Sequence, residues 1–598
     1  MKLSFALMAA ASLALLAPLG ACGSSNDDNA ADAGNGGGSK DGGANGSGDA
    51  SCASLACAND GGTSTGDAGP DADSGPVTPT VSSWMGINAD ADLPWSDVAT
   101  QLAAFTLSNG GKADANGYPV AGASGTSSTD MGFLLPSGTY AISFTGTGTL
   151  TVGGIGKLAG TWTTSGGVQS NTVTITGTPG TFGQSLTLGI TNAAGQSVTG
   201  IHLYLPGVAP ASAGTFSPQY LAMLKPFRAV RFMDWAGTNG STITDWSART
   251  LPTTFGVNAG VVPWETMIEL LNETGKDGWI NVPEHATDAY VKSLGDLFAA
   301  NLDLTRVNAA RAAAGLTTPF TLYVEYANET WNTGFTAYNT LLAAAKAAPT
   351  TYTGMYTGSY GPTFMSQDAD LMKVGQVEGD RLVQIGMSLR KELASTAVTV
   401  APVLAGWALG PAYSDDALTF IKAKYGDPKQ YVSAVAIAPY FSVDDSNGQT
   451  DSLGNLFTAL DTAIDGTDAT LQQFAMLVKQ YGLQMTAYEG GQGFTGSTNL
   501  MVKHLAQYDA RMNASYTRAL SLWQKDLGNA LYMHFVLAST PGIPESFFQY
   551  GFWGAAGSVL LDPATCGNEL PTLTGSETIA SVSTGCPKYA ALAAHVPQ

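Results

Sequence analysis

The stretch Thr321-Leu-Tyr-Val-Glu-Tyr-Ala-Asn-Glu-Thr-Trp331 decides how this chain is read. It has the apolar, aromatic composition of a buried strand, and it ends in Asn328-Glu329. A second such strand, Leu483-Gln-Met-Thr-Ala-Tyr-Glu-Gly490, ends in Glu489. Two carboxyls far apart in sequence therefore each sit at the C-terminal end of their own strand. In a closed parallel barrel all such ends open on one face, so residues this distant can converge there.

Outward from these two strands the chain alternates. Ala229-Val-Arg-Phe-Met-Asp234 is a strand, and Pro263 to Thr274 has the period of a helix. Gly278-Trp-Ile-Asn-Val-Pro283 is the next strand, and Asp288 to Leu302 the next helix. After Asn328-Glu329 comes a long helical region through Ala394, broken by a Gly/Tyr/Thr excursion near 350–365. Ala397-Val-Thr-Val-Ala-Pro-Val-Leu404, Val432-Ser-Ala-Val-Ala-Ile-Ala438, the Glu489 strand and Asn529-Ala-Leu-Tyr-Met-His-Phe-Val536 follow. Taking Ser83-Trp-Met-Gly-Ile-Asn88 as the first strand, with a helix-like stretch from Trp95 to Phe105 behind it, completes a set of eight. Near-continuous apolar strands alternating with helices predict an α/β fold, a (β/α)8 TIM barrel.

One segment breaks this rhythm. From about Ala113 to Gly207 the sequence reads as short alternating strands between Gly turns, such as Tyr140-Ala-Ile-Ser-Phe-Thr145 and Leu186-Thr-Leu-Gly-Ile-Thr191. That pattern predicts a small β-sandwich. The boundaries are residues 81–112 for the first barrel strand and helix, 113–210 for the sandwich and 211–560 for the rest of the barrel. The sandwich is read as inserted after the first strand. The alternative makes it an N-terminal domain and finds a first barrel strand elsewhere.

A carboxyl pair placed this way suits glycosidic bond cleavage with retention, in which one group protonates the leaving oxygen and the other attacks the sugar carbon. The dipeptide itself is common: Asn-Glu recurs at Asn272-Glu273 in a helical stretch and at Asn568-Glu569 in the tail. Strand context separates Asn328-Glu329 from these. A surface acid is the plain alternative for Glu329, and a salt-bridged strand-end acid for Glu489. Gly490-Gly491 would let a ligand approach the backbone closely.

With Glu329 ending the fourth strand and Glu489 the seventh, the chain resembles clan A of the glycoside hydrolases, the retaining (β/α)8 group that includes cellulases and mannanases. The resemblance implies Glu329 as acid/base and Glu489 as nucleophile. It also implies Arg231 as the cation beside the nucleophile, Tyr440 as its hydroxyl donor and Asn328 as a partner of the sugar 2-hydroxyl. Trp553, in Gly551-Phe-Trp-Gly554, matches the strand-8 Trp of the clan in position. Trp331, Trp235 and Trp407 also fall at or just beyond strand ends, where aromatic faces can stack on sugar rings, and His285 could line the cleft. Two departures bear on substrate. Thr330 stands where many clan members have Pro, and the sixth-strand His-x-Tyr reads Ala438-Pro439-Tyr440. The expected activity is cleavage of a β-linked polysaccharide. The competing expectation is a surface lipoprotein that binds carbohydrate without cutting it.

Other chemistries lack their signatures. No His-Glu-x-x-His, clustered Cys/His set or phosphate-binding Gly-Lys-Ser/Thr loop occurs, no Gly-x-Ser-x-Gly elbow is arranged after a strand, and there are 5 His in 598 residues. No metal and no cofactor are expected. A formal charge of −21 and a pI near 4.4 argue against nucleic acid as a partner, whereas a neutral polysaccharide meets no such barrier. A monomer is expected.

The N-terminus reads as an export signal, with Met1-Lys2, an apolar run from Leu3 to Pro18, and small residues before Cys22. Leu19-Gly-Ala-Cys22 resembles the bacterial lipobox, which implies lipidation of Cys22; Gly at 23 favours the outer membrane. Residues 23–80 are Gly, Ser, Ala, Asn and Asp with few large apolar side chains, so they are expected to be a disordered tether. Four cysteines then remain, and Cys52 with Cys57 and Cys566 with Cys586 are the expected disulfides; the last lies in the tail, residues 561–598.

Overall fold

The computed structural model describes residues 84–595 apart from 91–93, 109, 130–134, 177–183, 258–259, 361–364, 540–549, 552 and 558–585. The expectations for the signal segment, Cys22, the tether, Cys52, Cys57 and Cys566 lie outside the described residues. Cys586 is disulfide-bonded.

Eight parallel strands close into a barrel. They are β1 (Met85–Asn88), β2 (Ala229–Arg231), β3 (Asp277–Val282), β4 (Thr321–Tyr326), β5 (Thr399–Ala405), β6 (Ala434–Ile437), β7 (Gln484–Ala487) and β8 (Tyr532–His534). β1 closes the ring by pairing with β2 on one side and β8 on the other. Both faces of each strand are covered, which explains the near-continuous apolar composition. One set of side chains fills the barrel interior: Trp279 stacks on Tyr323 at 5.4 Å, and Ala229, Ala401, Ala434 and Ala436 complement these large rings with small ones. The alternate set, including Val230, Ile280, Leu322, Val324, Val435 and Ile437, packs outward in the larger core.

The outer ring is helical. Its members are α1 (Pro218–Leu224), α2 (Trp264–Thr274), α3 (Asp288–Asn301), α4 (Leu304–Ala313), α5 (Thr336–Ala347), α6 (Ala369–Glu392), α7 (Ala412–Tyr425), α8 (Leu453–Tyr481), α9 (Leu500–Ala506), α10 (Ala510–Leu527) and α11 (Pro587–Ala594). Several begin at a side-chain cap, as Thr287 does for α3, Asp368 for α6 and Ser452 for α8, each accepting a first-turn N–H. Gly275 and Gly482 end α2 and α8 in the left-handed conformation.

The segment expected as a helix over 95–105 is different. It holds a single 3-10 turn, Val98–Gln101, because its start is tied down as extended chain. Trp95 bridges Phe216, and Asp97 bridges Tyr204 while its carboxylate accepts from the Leu203 N–H at 2.8 Å.

The β-rich segment lies between β1 and β2 in the chain, so it is an insertion into the barrel. One antiparallel sheet runs in the order Val198–Tyr204, Gly138–Gly146, Val168–Ile175, Gly156–Leu158; the other runs Thr106–Leu107, Ser124–Thr129, Leu186–Thr191, Thr149–Gly154. Alternating side chains from each, such as Tyr140, Ile142, Phe144 and Val173 from one and Leu186, Leu188 and Ile190 from the other, share one apolar core. At Gly156 the two sheets approach so closely that a Cβ would lie 2.6 Å from Leu186 and 3.3 Å from Val173. The insertion joins the barrel through packed rings: Phe105 stacks on Phe255 at 4.4 Å, and Tyr118 lies tilted against the same ring at 5.3 Å.

Candidate active site

The site is built on Arg231, the last residue of β2. Its guanidinium is fully buried, and all five N–H donors have partners. Nε and Nη2 form a two-point contact with Glu325, at 3.0 and 3.1 Å. Nη1 donates to Asn88 Oδ1 at 3.0 Å and to Glu489 Oε1 at 2.8 Å, and the second Nη2 bond goes to Asn328 Oδ1 at 2.8 Å. One side chain thus ties together the C-terminal ends of β1, β4 and β7. Parallel register makes this possible by setting Asn88 beside Arg231 and Arg231 beside Trp279. Trp279 Nε1 completes the shell of Glu325 with a 2.8 Å bond.

Glu489 and Glu329 meet different partners. Glu489 accepts from Arg231 on Oε1 and from the Tyr440 hydroxyl on Oε2, at 3.0 Å. Glu329 makes no ion pair among the described residues. Its Oε2 accepts from Asn332 Nδ2 at 3.0 Å, and Tyr488 Oη donates to Oε1 at 3.2 Å. Burial, and then the negative charge of Glu489, push the Glu329 carboxyl up to about 8. The Tyr488 side chain reaches from the residue before Glu489 to Glu329, and Arg231 bonds both Glu489 and Asn328, the residue before Glu329, so the two acids are neighbours. Each keeps some exposure, 9% for Glu329 and 6% for Glu489. Asp234, three residues beyond Arg231, is likewise raised by burial, then by Asp90 and Glu489.

The turn that presents Glu329 is strained. Ala327 has φ +57° and Glu329 φ +43°, a left-handed backbone that residues with a Cβ rarely adopt. Asn281 braces it by donating to the Ala327 carbonyl at 2.8 Å, and Asn332 N–H bonds to the Glu329 carbonyl at 2.8 Å. Asn328 accepts from Arg231 and donates one amide N–H to Asn239 Oδ1 at 3.1 Å. Its second amide N–H makes no hydrogen bond among the described residues.

The aromatic residues divide. Trp553 packs edge-on to Phe535 at 5.4 Å, in a cluster with Met233 and Tyr440, and so borders the Glu489 side of the pocket. Trp331 is buried, and its ring lies 5.1 Å from Trp407 with an interplanar angle of 8°. The half-buried member of this pair is Trp407. Trp235 corrects its expectation: it is enclosed by Trp95, Phe216, Tyr220 and Phe232 and is a packing residue. His285, three residues past the end of β3, lies 3.3 Å from Glu284, whose carboxyl accepts from Thr336 and Thr340 of the α5 region. The reading of Gly490-Gly491 as an approach for ligand is also corrected. A Cβ at 490 would meet Tyr532 Oη at 2.4 Å, and one at 491 would meet His534 Nε2 at 2.8 Å and Tyr516 Oη at 2.9 Å. Protein rings fill that space.

Sequence reasoning missed Asn88, Glu325, Trp279, Asn332 and Tyr488. Glu325 carried a signal, being an acid in the middle of an otherwise apolar strand, which calls for a buried cation. Asn88 and Tyr488 carried none beyond their places at strand ends.

No family model matches the chain, and no curated protein matches its sequence. Among solved structures it is similar to a 4-O-alpha-L-rhamnosyl-beta-D-glucuronidase from Fusarium oxysporum, at 11% identity and a TM-score of 0.32, over 62% of this chain and 61% of that one. A GH51 arabinofuranosidase from Xanthomonas axonopodis pv. citri gives 12% identity and a TM-score of 0.29, over 56% and 62%. An endo-1,4-beta-xylanase from Penicillium canescens gives 12% identity and a TM-score of 0.30, over 65% and 91%. The chain therefore spans about six tenths of the length of the first two.

Proposed function

We propose that the chain is a retaining glycoside hydrolase acting on a β-linked polysaccharide. The observation that carries this reading is the asymmetry of the two acids: Glu489 is charge-paired to Arg231 and Tyr440, while Glu329 is kept as a proton carrier by burial. Glu329 gives its proton to the glycosidic oxygen as that bond breaks, and Glu489 Oε2 or Oε1 bonds to the anomeric carbon. Glu329, now a carboxylate, takes a proton from water, which attacks the same carbon and frees Glu489. The remaining amide N–H of Asn328 donates to the sugar 2-hydroxyl, a contact that strengthens as positive charge develops on the ring. Trp553 and Trp407 supply the half-buried rings on which sugars stack. The apolar run from Leu3 to Pro18, followed by the lipobox-like Leu19-Gly-Ala-Cys22, adds a lipid anchor at the outer membrane to this proposal.

Release of reducing sugar from a panel of β-glucans, mannans and xylans tests the reading. Glu329→Gln and Glu489→Gln should each lower kcat by roughly 10²–10⁴ or more, the range for a lost acid or base, with the fold intact by circular dichroism. Glu329→Gln should recover kcat/KM, which reports only the step that forms the covalent sugar, on aryl glycosides whose leaving group needs no proton, and Glu489→Gln should not. Wild-type turnover in either variant removes that residue from the mechanism.

A further inference from the structure

The residue after Glu329 is locked into a junction that the chemistry above does not use. Thr330 Oγ1 donates to Glu378 Oε2 at 2.5 Å, and the Tyr413 hydroxyl donates to the same oxygen at 2.6 Å. The two hydroxyls lie 3.0 Å apart. Glu378 Oε1 accepts from the Ala405 N–H at 3.2 Å. Glu378 comes from α6, Tyr413 from α7 and Ala405 from the end of β5, so three elements converge behind one turn. Gly375, one turn earlier on α6, keeps the helix close to the Tyr413 ring; a Cβ there would lie 3.2 Å from it. Thr330 and Glu378 are each 1% exposed, so no substrate touches them.

An acid in this position is costly. A buried carboxyl loses more on leaving water than an apolar side chain of its size, and that cost must be offset by what it holds. What it holds is the far side of a turn containing two left-handed residues, Ala327 and Glu329, which would otherwise relax. Asn281 fixes the near side through the Ala327 carbonyl. We propose that Glu378 is a positioning residue for Glu329, acting through the Thr330 hydroxyl. The proposal rests on the reading of Glu329 as the acid. Burial also lifts the Glu378 carboxyl to about 8, against the pull of the Thr330 and Tyr413 hydroxyls.

The test uses the full chain with Thr330→Val, which keeps the shape and deletes the hydroxyl, Thr330→Ser, which keeps the hydroxyl, and Glu378→Gln. Two quantities are read: kcat and KM on the best polysaccharide of the panel, and the titration midpoint of the Glu329 carboxyl by carbon-13 NMR. In Thr330→Val the turn relaxes and Glu329 gains water. The midpoint then falls from about 8 toward the ordinary glutamate range, kcat falls about tenfold, and KM stays within about twofold. Thr330→Ser restores both. Should Glu378→Gln fail to fold, the Thr330 pair decides alone. A folded Thr330→Val protein with the wild-type kcat and wild-type Glu329 midpoint overturns the proposal. If the wild-type chain cuts no polysaccharide, the functional reading fails, and the Glu329 midpoint in Thr330→Val still decides whether the junction positions that carboxyl.

Discussion

Glu329 and Glu489 are the same residue type side by side, but they meet different donors, and burial and the charge of its neighbour raise Glu329. Arg231 is the one cation in contact with this group of acids among the described residues, and its bonds go to Glu325 and Glu489. Among the described residues Glu329 accepts only from an amide and a phenol, and burial with the charge of Glu489 raises it, so it holds its proton. The sign follows for activity. The raised carboxyl is protonated, and competent as an acid, below about 8, and it is lost as pH rises through that value. The basic limb of the kcat/KM profile should therefore fall near pH 8, well above the ordinary glutamate range, and should disappear for a substrate whose leaving group needs no proton. A limb near pH 5 would mean that Glu329 is solvated and not the acid. Both glutamates were legible in the sequence because each ends an apolar strand. The donors Asn332 and Tyr488 were not legible, since an Asn three residues on and a Tyr one residue back look like any loop residues until the turn is formed.

At the scale of the element, Arg231 is the junction of β1, β2, β4 and β7. A lysine offers three donors from a single nitrogen and cannot make the two-point contact with Glu325 while reaching Asn88, Asn328 and Glu489. Arg231→Lys should lower stability by about 3–5 kcal/mol, because Glu325 is left buried without its full partner, and chemical denaturation measures this. A loss under about 1 kcal/mol would show that water replaces the missing donors. Strand order was readable here because each strand is long and apolar enough to stand out. The 95–105 segment was misread as helix because its fate is set by distant partners: Asp97 is held by Leu203, and Trp95 by Phe216. Local periodicity carries no record of either. The same is true of Gly490-Gly491, whose spare room is claimed by Tyr532, Tyr516 and His534 from elements further along the chain.

For the whole molecule, the barrel and its inserted sheets share a core, and Phe105, Tyr118 and Phe255 are where they meet. Phe255→Ala should cost about 3–5 kcal/mol, the usual loss for truncating a buried Phe, while leaving KM unchanged if the insertion only supports the barrel. A raised KM with little loss of stability would assign the insertion to substrate binding instead. That an insertion existed was visible in the switch from helical to alternating periodicity near residue 113. How it docks was not, because the docking rings are spread over sites 105, 118 and 255.

The account as a whole stands on the division of labour between the two glutamates. It is tested most directly by incubating the protein with a 2-deoxy-2-fluoro glycoside bearing an activated leaving group, then mapping the trapped sugar by peptide mass spectrometry. The account predicts one covalent sugar, on the peptide that contains Glu489, and none in Glu489→Gln. A sugar attached to any other residue, or hydrolysis of an unmodified substrate with inversion at the anomeric carbon, would contradict it.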